Sequence, residues 1–155
     1  MMKIKGLMTL LLLSLFSAPL YAAVDYFYLK PLNGEKIKIT RQMLEAMPPH
    51  TIKTSTNFTP EDTFTGVEFA ELVKAYHLKG QSVRAFAWDD YSYSMPIDEM
   101  IKYRVIVAYL RGGKPIDVGE LGPFAIIYPR DGYAELNNLD VNAKTVWQVK
   151  RLEMK

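Results

Sequence analysis

The sequence predicts an α+β domain in which short helices surround a β-rich sheet, mixed or barrel-like. Three observations lead there. Short runs rich in β-branched and aromatic residues recur along the chain. One stretch carries a clear helical stripe, and no repeat, low-complexity tract or linker divides the 155 residues. Apolar residues make up 49% of the chain, enough for one packed core.

Residues 1–22 stand apart. Lys3 and Lys5 give a basic start, "LMTLLLLSLF" an apolar run, and "SAPLYAAV" the small residues a peptidase needs. That order predicts a secretory signal peptide cleaved after Ala22, leaving a single domain over residues 23–155. The apolar run is too short to span a bilayer comfortably. Removing its two lysines leaves seventeen basic against seventeen acidic residues, so the exported chain has no electrostatic case for nucleic acid.

"VDYFYL" reads as a strand, "PLNGE" as a turn and "KIKIT" as an alternating, half-buried strand. Thr40 caps a short helix, "RQMLEAM", that Pro48 and Pro49 stop. "TIKTST" is a further strand and "NFTPEDTF" has loop composition. The strongest helix signal starts at Thr65, where Thr65 and Glu68 make a capping box. Phe69, Leu72, Val73 and Tyr76 then form one stripe, and Gly80 supplies the stop. Strands follow at Ser82–Trp88 and Tyr91–Met95, and Asp98 caps another short helix. "VIVAYL" is apolar throughout, as in a strand covered on both faces. "RGGK" turns the chain, "FAIIYP" gives another buried strand, and "TVWQVKRLEM", carrying Trp147, gives the last.

Chemistry-bearing residues are few. Cysteine is absent, which removes thiol nucleophiles, thiolate ligands and disulfides together. His50 and His77 share no metal-ligand spacing and read as surface or packing residues. No Ser-His-Asp order, P-loop or GxGxxG is present. Asp89 and Asp90 admit three readings: an acid–base pair, a solvated turn, or a ligand contact. Extended neighbours point to opposite faces, which tells against sharing one reacting bond. Trp88, Tyr91 and Tyr93 surround this turn, with Arg130 and Asp131 in another loop and Trp147 on the final strand. Aromatic rings beside carboxylates suit a planar heterocycle with N–H donors, and core packing is the competing role for each tryptophan.

From "FTGVEFAELVKAYHLKG" onward, the order of motifs resembles the molybdopterin-binding domain of the sulfite oxidase family. The matching pieces are Gly66-Val67 with Leu72-Val73; Asp90-Tyr91; Met95-Pro96-Ile97; "VIVAYLRGGKPI"; "LGPFAIIYP"; and "VWQVKRLE". The likeness covers most of the chain after residue 22 and implies the family's mixed α+β, barrel-like fold. The family's metal-binding cysteine falls in the segment where this chain has Thr54, Ser55, Thr56 and Asn57. Ala125 and Val146 stand where the family has an arginine and a lysine. A hydroxyl is a poor substitute for a soft thiolate.

The resemblance therefore implies a small, cysteine-free periplasmic sensor of this fold. Such a sensor has no metal cofactor, binds a pterin, and regulates an inner-membrane signalling protein such as a cyclic-di-GMP enzyme. On that reading the chain is no enzyme. The expected ligand contacts are Thr54, Ser55, Thr56, Asn57, Trp88, Asp89, Asp90, Tyr91, Arg130 and Trp147. A molybdopterin-dependent oxidoreductase with atypical metal ligation and a purely structural interaction domain are the alternatives.

Overall fold

The computed structural model describes residues 24–155, so the expected signal peptide lies outside the described residues. The chain opens with strands β1 (Tyr26–Lys30) and β2 (Ile37–Thr40), paired antiparallel. Thr40 then caps α1 (Arg41–Glu45), its Oγ1 accepting the Met43 N–H at 3.2 Å. Next come β3 (His50–Thr54), β4 (Asp62–Glu68), α2 (Phe69–Ala75), β5 (Ser82–Ala87) and β6 (Ser92–Pro96). They are followed by α3 (Ile97–Lys102), β7 (Ile106–Arg111), β8 (Lys114–Pro115) and β9 (Ala125–Ile127). Two 3-10 turns (Arg130–Gly132 and Ala134–Leu136), α4 (Leu139–Lys144) and β10 (Val149–Met154) complete the fold.

These strands make two sheets. The first has the order β2-β1-β10-β5-β6, in which only β1 and β10 run parallel. The second has the order β3-β4-β7-β8, with β9 also paired to β7. The sheets do not close into the barrel that the sequence suggested; they are joined along one side. There the Ile126 N–H donates to the Val146 carbonyl and the Val149 N–H to the Phe124 carbonyl. The main core draws on both sheets, including Phe27, Leu29, Val83 and Leu152 from the first and Val67, Val107 and Ile126 from the second. A smaller apolar cluster of Ile52, Phe64, Ile106, Ala108 and Ile127 covers the other face of sheet two and includes Trp147. β7 is thus buried on both faces, as its unbroken apolar run predicts.

The helix expected from Thr65 begins four residues later. Thr65 lies inside β4, its hydroxyl 2.8 Å from that of Thr51 on β3, and Glu68 makes no capping bond. Pairing on both edges of β4 outweighs the local capping pattern, and Glu68 instead accepts from Arg104 Nε and Nη2. Gly80 does not stop α2 either. The helix ends at Ala75, His77 takes a positive φ of 49°, and the Leu78 N–H returns to the Val73 carbonyl at 3.0 Å. This is a Schellman ending without glycine. It recurs after α3, where Arg104 has φ 52° and the Val105 N–H bonds the Met100 carbonyl. Asp98 is the second residue of α3 rather than its cap. Trp147 precedes β10, because Gln148 with φ 50° breaks the extended run.

Gly66 sits where the β4–β7 register shifts. A Cβ there would run into the Val107 carbonyl and stand 2.6 Å from the Ala108 Cα. Gly66→Ala is expected to cost about 1–3 kcal/mol in urea denaturation. Gly132→Ala, where an added Cβ meets nothing within 4 Å, should stay within about 0.5 kcal/mol of the parent.

Candidate ligand-binding site

A cavity of about 390 Å³ opens where the loop after β3, the β5–β6 turn, the end of α4 and the segment before β10 converge. That volume falls in the range of small-molecule sites, about 300–1,000 Å³. Trp147 forms a wall and is only 8% exposed. Phe58 stands against it edge-on, ring centroids 6.1 Å apart, while remaining 63% exposed itself. Tyr91 borders the cavity and donates its hydroxyl to the Ala143 carbonyl at 2.8 Å, tying the β5–β6 turn to α4. Burial pushes its phenol pKa above the ordinary value. Two lining residues carry buried polar atoms without a protein partner, Trp147 Nε1 and Asn142 Oδ1. Such groups are uncommon in folded proteins and point to an unmet hydrogen-bonding need.

Four of the ten expected contacts line this cavity: Asn57, Asp89, Tyr91 and Trp147. Asp89 and Asp90 form a turn, in which Asp89 Oδ1 accepts the Tyr91 N–H at 3.0 Å and Asp90 adopts φ 69°. Asp90 does not line the cavity. It bonds Lys150 Nζ at 2.7 Å, and that ammonium holds its carboxyl below the usual range. Trp88 is 46% exposed outside the cavity, with Lys150 Nζ 6.0 Å from its ring centre.

Thr54, Ser55 and Thr56 fasten the loop rather than line the cavity. Thr54 Oγ1 accepts the Asp131 N–H at 3.1 Å. Ser55 donates to Asp131 through its N–H at 2.6 Å and its hydroxyl at 2.8 Å. Thr56 Oγ1 accepts the Phe58 and Thr59 N–H groups. Arg130 is also turned elsewhere, donating through Nε and Nη2 to Asn137 Oδ1. Sequence reasoning missed Phe58, Glu120 and Asn142. Only the exposed aromatic in "NFTP" offered a signal for any of them.

The α4 wall is held from behind by a buried charge. Lys144, 7% exposed in its side chain, donates to both carboxylate oxygens of Glu99 at 2.9 and 3.0 Å and contacts Asp140 Oδ2 at 2.5 Å. Tyr128 donates to Glu99 and Tyr93 to Asp140. Burial alone would lower the Lys144 pKa, but its bonds to Asp140 and Glu99 prevail and raise it. The same ammonium holds the Asp140 carboxyl below its ordinary value.

A molybdopterin, the group implied by the family resemblance, does not fit this set of residues. Its metal is held in that family by a thiolate, and this chain has no cysteine. Its phosphate requires cations, whereas the cavity residues include the carboxylates of Asp89 and Glu120 and no Lys, Arg or His. The segment where the family has its cysteine reaches the cavity only through Asn57.

Two substitutions test how the walls are held. Lys144→Met leaves Glu99 and Asp140 without their shared cation and should lower unfolding stability by about 2–3 kcal/mol in denaturant melts. The bond from the Ser55 N–H holds the Asp131 carboxyl below its ordinary value. Its stabilisation is therefore complete above the unfolded carboxylate pKa and lost as pH falls through the lower folded one. Asp131→Ala should cost about 1 kcal/mol at pH 7, the bond being partly exposed to water. Melts taken at successively lower pH should show the parent and variant converging below about pH 4.

No family model and no curated protein matches the sequence. Among solved structures, the fold is similar to that of the sulfane dehydrogenase SoxCD from Paracoccus pantotrophus, with a TM-score of 0.63 and 15% identity. The match covers 83% of this chain and 37% of that one, so this chain spans little more than a third of its neighbour. At that identity the likeness establishes a shared fold and nothing finer.

Proposed function

We propose that this chain is a non-catalytic periplasmic sensor that binds a pterin in the Trp147 cavity. In this reading it reports occupancy to an inner-membrane signalling protein such as a cyclic-di-GMP enzyme. The observation that carries the proposal is the cavity itself: a sulfite oxidase-type scaffold with an aromatic wall, unpartnered polar atoms and no sulfur ligand. A flat ring stacked on Trp147 would replace the water that otherwise wets an apolar surface. Trp147 Nε1 and Asn142 Oδ1 are left unpartnered in residues of the same wall. Export of the domain rests on the basic, apolar and small-residue order of residues 1–22.

The open volume of about 390 Å³ favours ligand binding over a structural domain whose pocket is filled by its own side chains. The sulfane dehydrogenase activity named for the structural neighbour is not carried over, since a likeness at 15% identity is one of fold alone.

Isothermal titration of the purified protein with reduced and oxidised pterins should give one-to-one binding. Trp88→Phe leaves Trp147 as the sole indole, and its fluorescence should change on binding. Trp147→Leu should weaken binding about tenfold or more, as expected for a lost stacking contact worth about 1–3 kcal/mol. Absence of heat and of thermal stabilisation across all pterins would overturn the proposal.

A further inference from the structure

The charged residues that line the cavity are all of one sign. Asp89 lies on one bordering turn and Glu120 on another, and no lining residue is cationic. The cations beside them are already engaged. Arg111 Nη1 stands 3.6 Å from Glu120 Oε2, but its Nε is bonded to Asp62 at 2.9 Å, so two carboxylates share one guanidinium. Lys150 is bonded to Asp90. A negative ligand entering here would lose hydration and gain no counter-charge.

The independent second observation lies in the wall. Trp147 is more than nine-tenths buried, and its indole N–H has no acceptor in the protein. Asn142 Oδ1 has no donor. Both residues line the cavity, and neither of these polar atoms brings a charge to it.

We infer that the cavity selects a planar nitrogen heterocycle bearing amino or lactam groups and no anionic substituent, with Asp89 and Glu120 as the residues that reject charged forms of the same ring. This rests on the heterocycle-binding reading and adds to it a specificity. The ring lies against Trp147, its N–H donors face the carboxylates, and a phosphate or carboxylate substituent is repelled from the same mouth. Phosphorylated cofactors of this ring class are therefore disfavoured by the sign of the lining charges.

The test compares two probes of similar size, 6-hydroxymethylpterin and pterin-6-carboxylate, titrated calorimetrically into the purified protein at pH 7.5. The uncharged probe should bind at least about tenfold more tightly. The ratio should shrink as salt is raised and shrink again in Glu120→Gln and in Asp89→Asn with Glu120→Gln. Glu120 is 64% exposed in its side chain, so its substitution leaves the fold intact. Asn at position 89 retains the oxygen that accepts the Tyr91 N–H. Equal or tighter binding of the carboxylate, or a ratio unmoved by the variants, overturns the inference while leaving pterin binding standing. Failure of both probes to bind overturns the binding reading and the inference with it.

Discussion

Ile106, Val107, Ala108 and Tyr109 are all buried, and their side chains alternate between the two faces of sheet two. Sealing this strand demands apolar cover on both sides and hydrogen-bonded partners on both edges. β4 supplies one edge, while β8 and β9 share the other. Close approach of β4 requires a residue without a side chain opposite Ala108, which is the place of Gly66. The cover on the second face draws in Trp147. The strand that anchors the core therefore also fixes the ring that walls the cavity.

Behind the cavity, Lys144 is fixed between Glu99 and Asp140. From the front, the Tyr91 hydroxyl reaches the Ala143 carbonyl. Held on two sides, α4 and its C-terminal cap present Asn142 and Thr145 to the cavity from a fixed element rather than from a free loop. The polar groups that stabilise this wall are hydrogen-bonded among themselves, and those facing the cavity are carboxylates or uncharged. This separation gives the pocket its chemical character: apolar and aromatic inside, acidic at the mouth, and poorly suited to an anionic metal cofactor.

Much of the framework was legible in the sequence because strand periodicity survives without tertiary context. The alternation in "KIKIT" and the unbroken run in "VIVAYL" each describe the faces their strands bury. The start of α2 was not legible, since Thr65 and Glu68 carry a local capping pattern that pairing with β3 and β7 overrides. Both Schellman endings were hidden because His77 and Arg104 occupy positions where glycine is the usual signal. α4 passed unnoticed, as Leu139 is 85% exposed and the helix buries too short a stripe to show a period. At the site, rings and turn acids drew attention by residue type, and Asp89, Tyr91 and Trp147 do converge. Arg130 and Thr54 have the right chemistry but spend it on Asn137 and on Asp131. Which polar groups remain free is a property of the folded arrangement, and residue type alone does not carry it.

The position of β10 has a consequence for the order of assembly. It is the last of the described strands in sequence yet the middle strand of sheet one, lying between β1 and β5. Its residues Arg151 and Leu152 pair with Tyr28 and Leu29, more than a hundred positions upstream. Before β10 is available, sheet one exists only as two separate hairpins, β1–β2 and β5–β6, with unpaired edges. Completion of this sheet must await synthesis of β10, and contacts this remote in sequence favour slow closure.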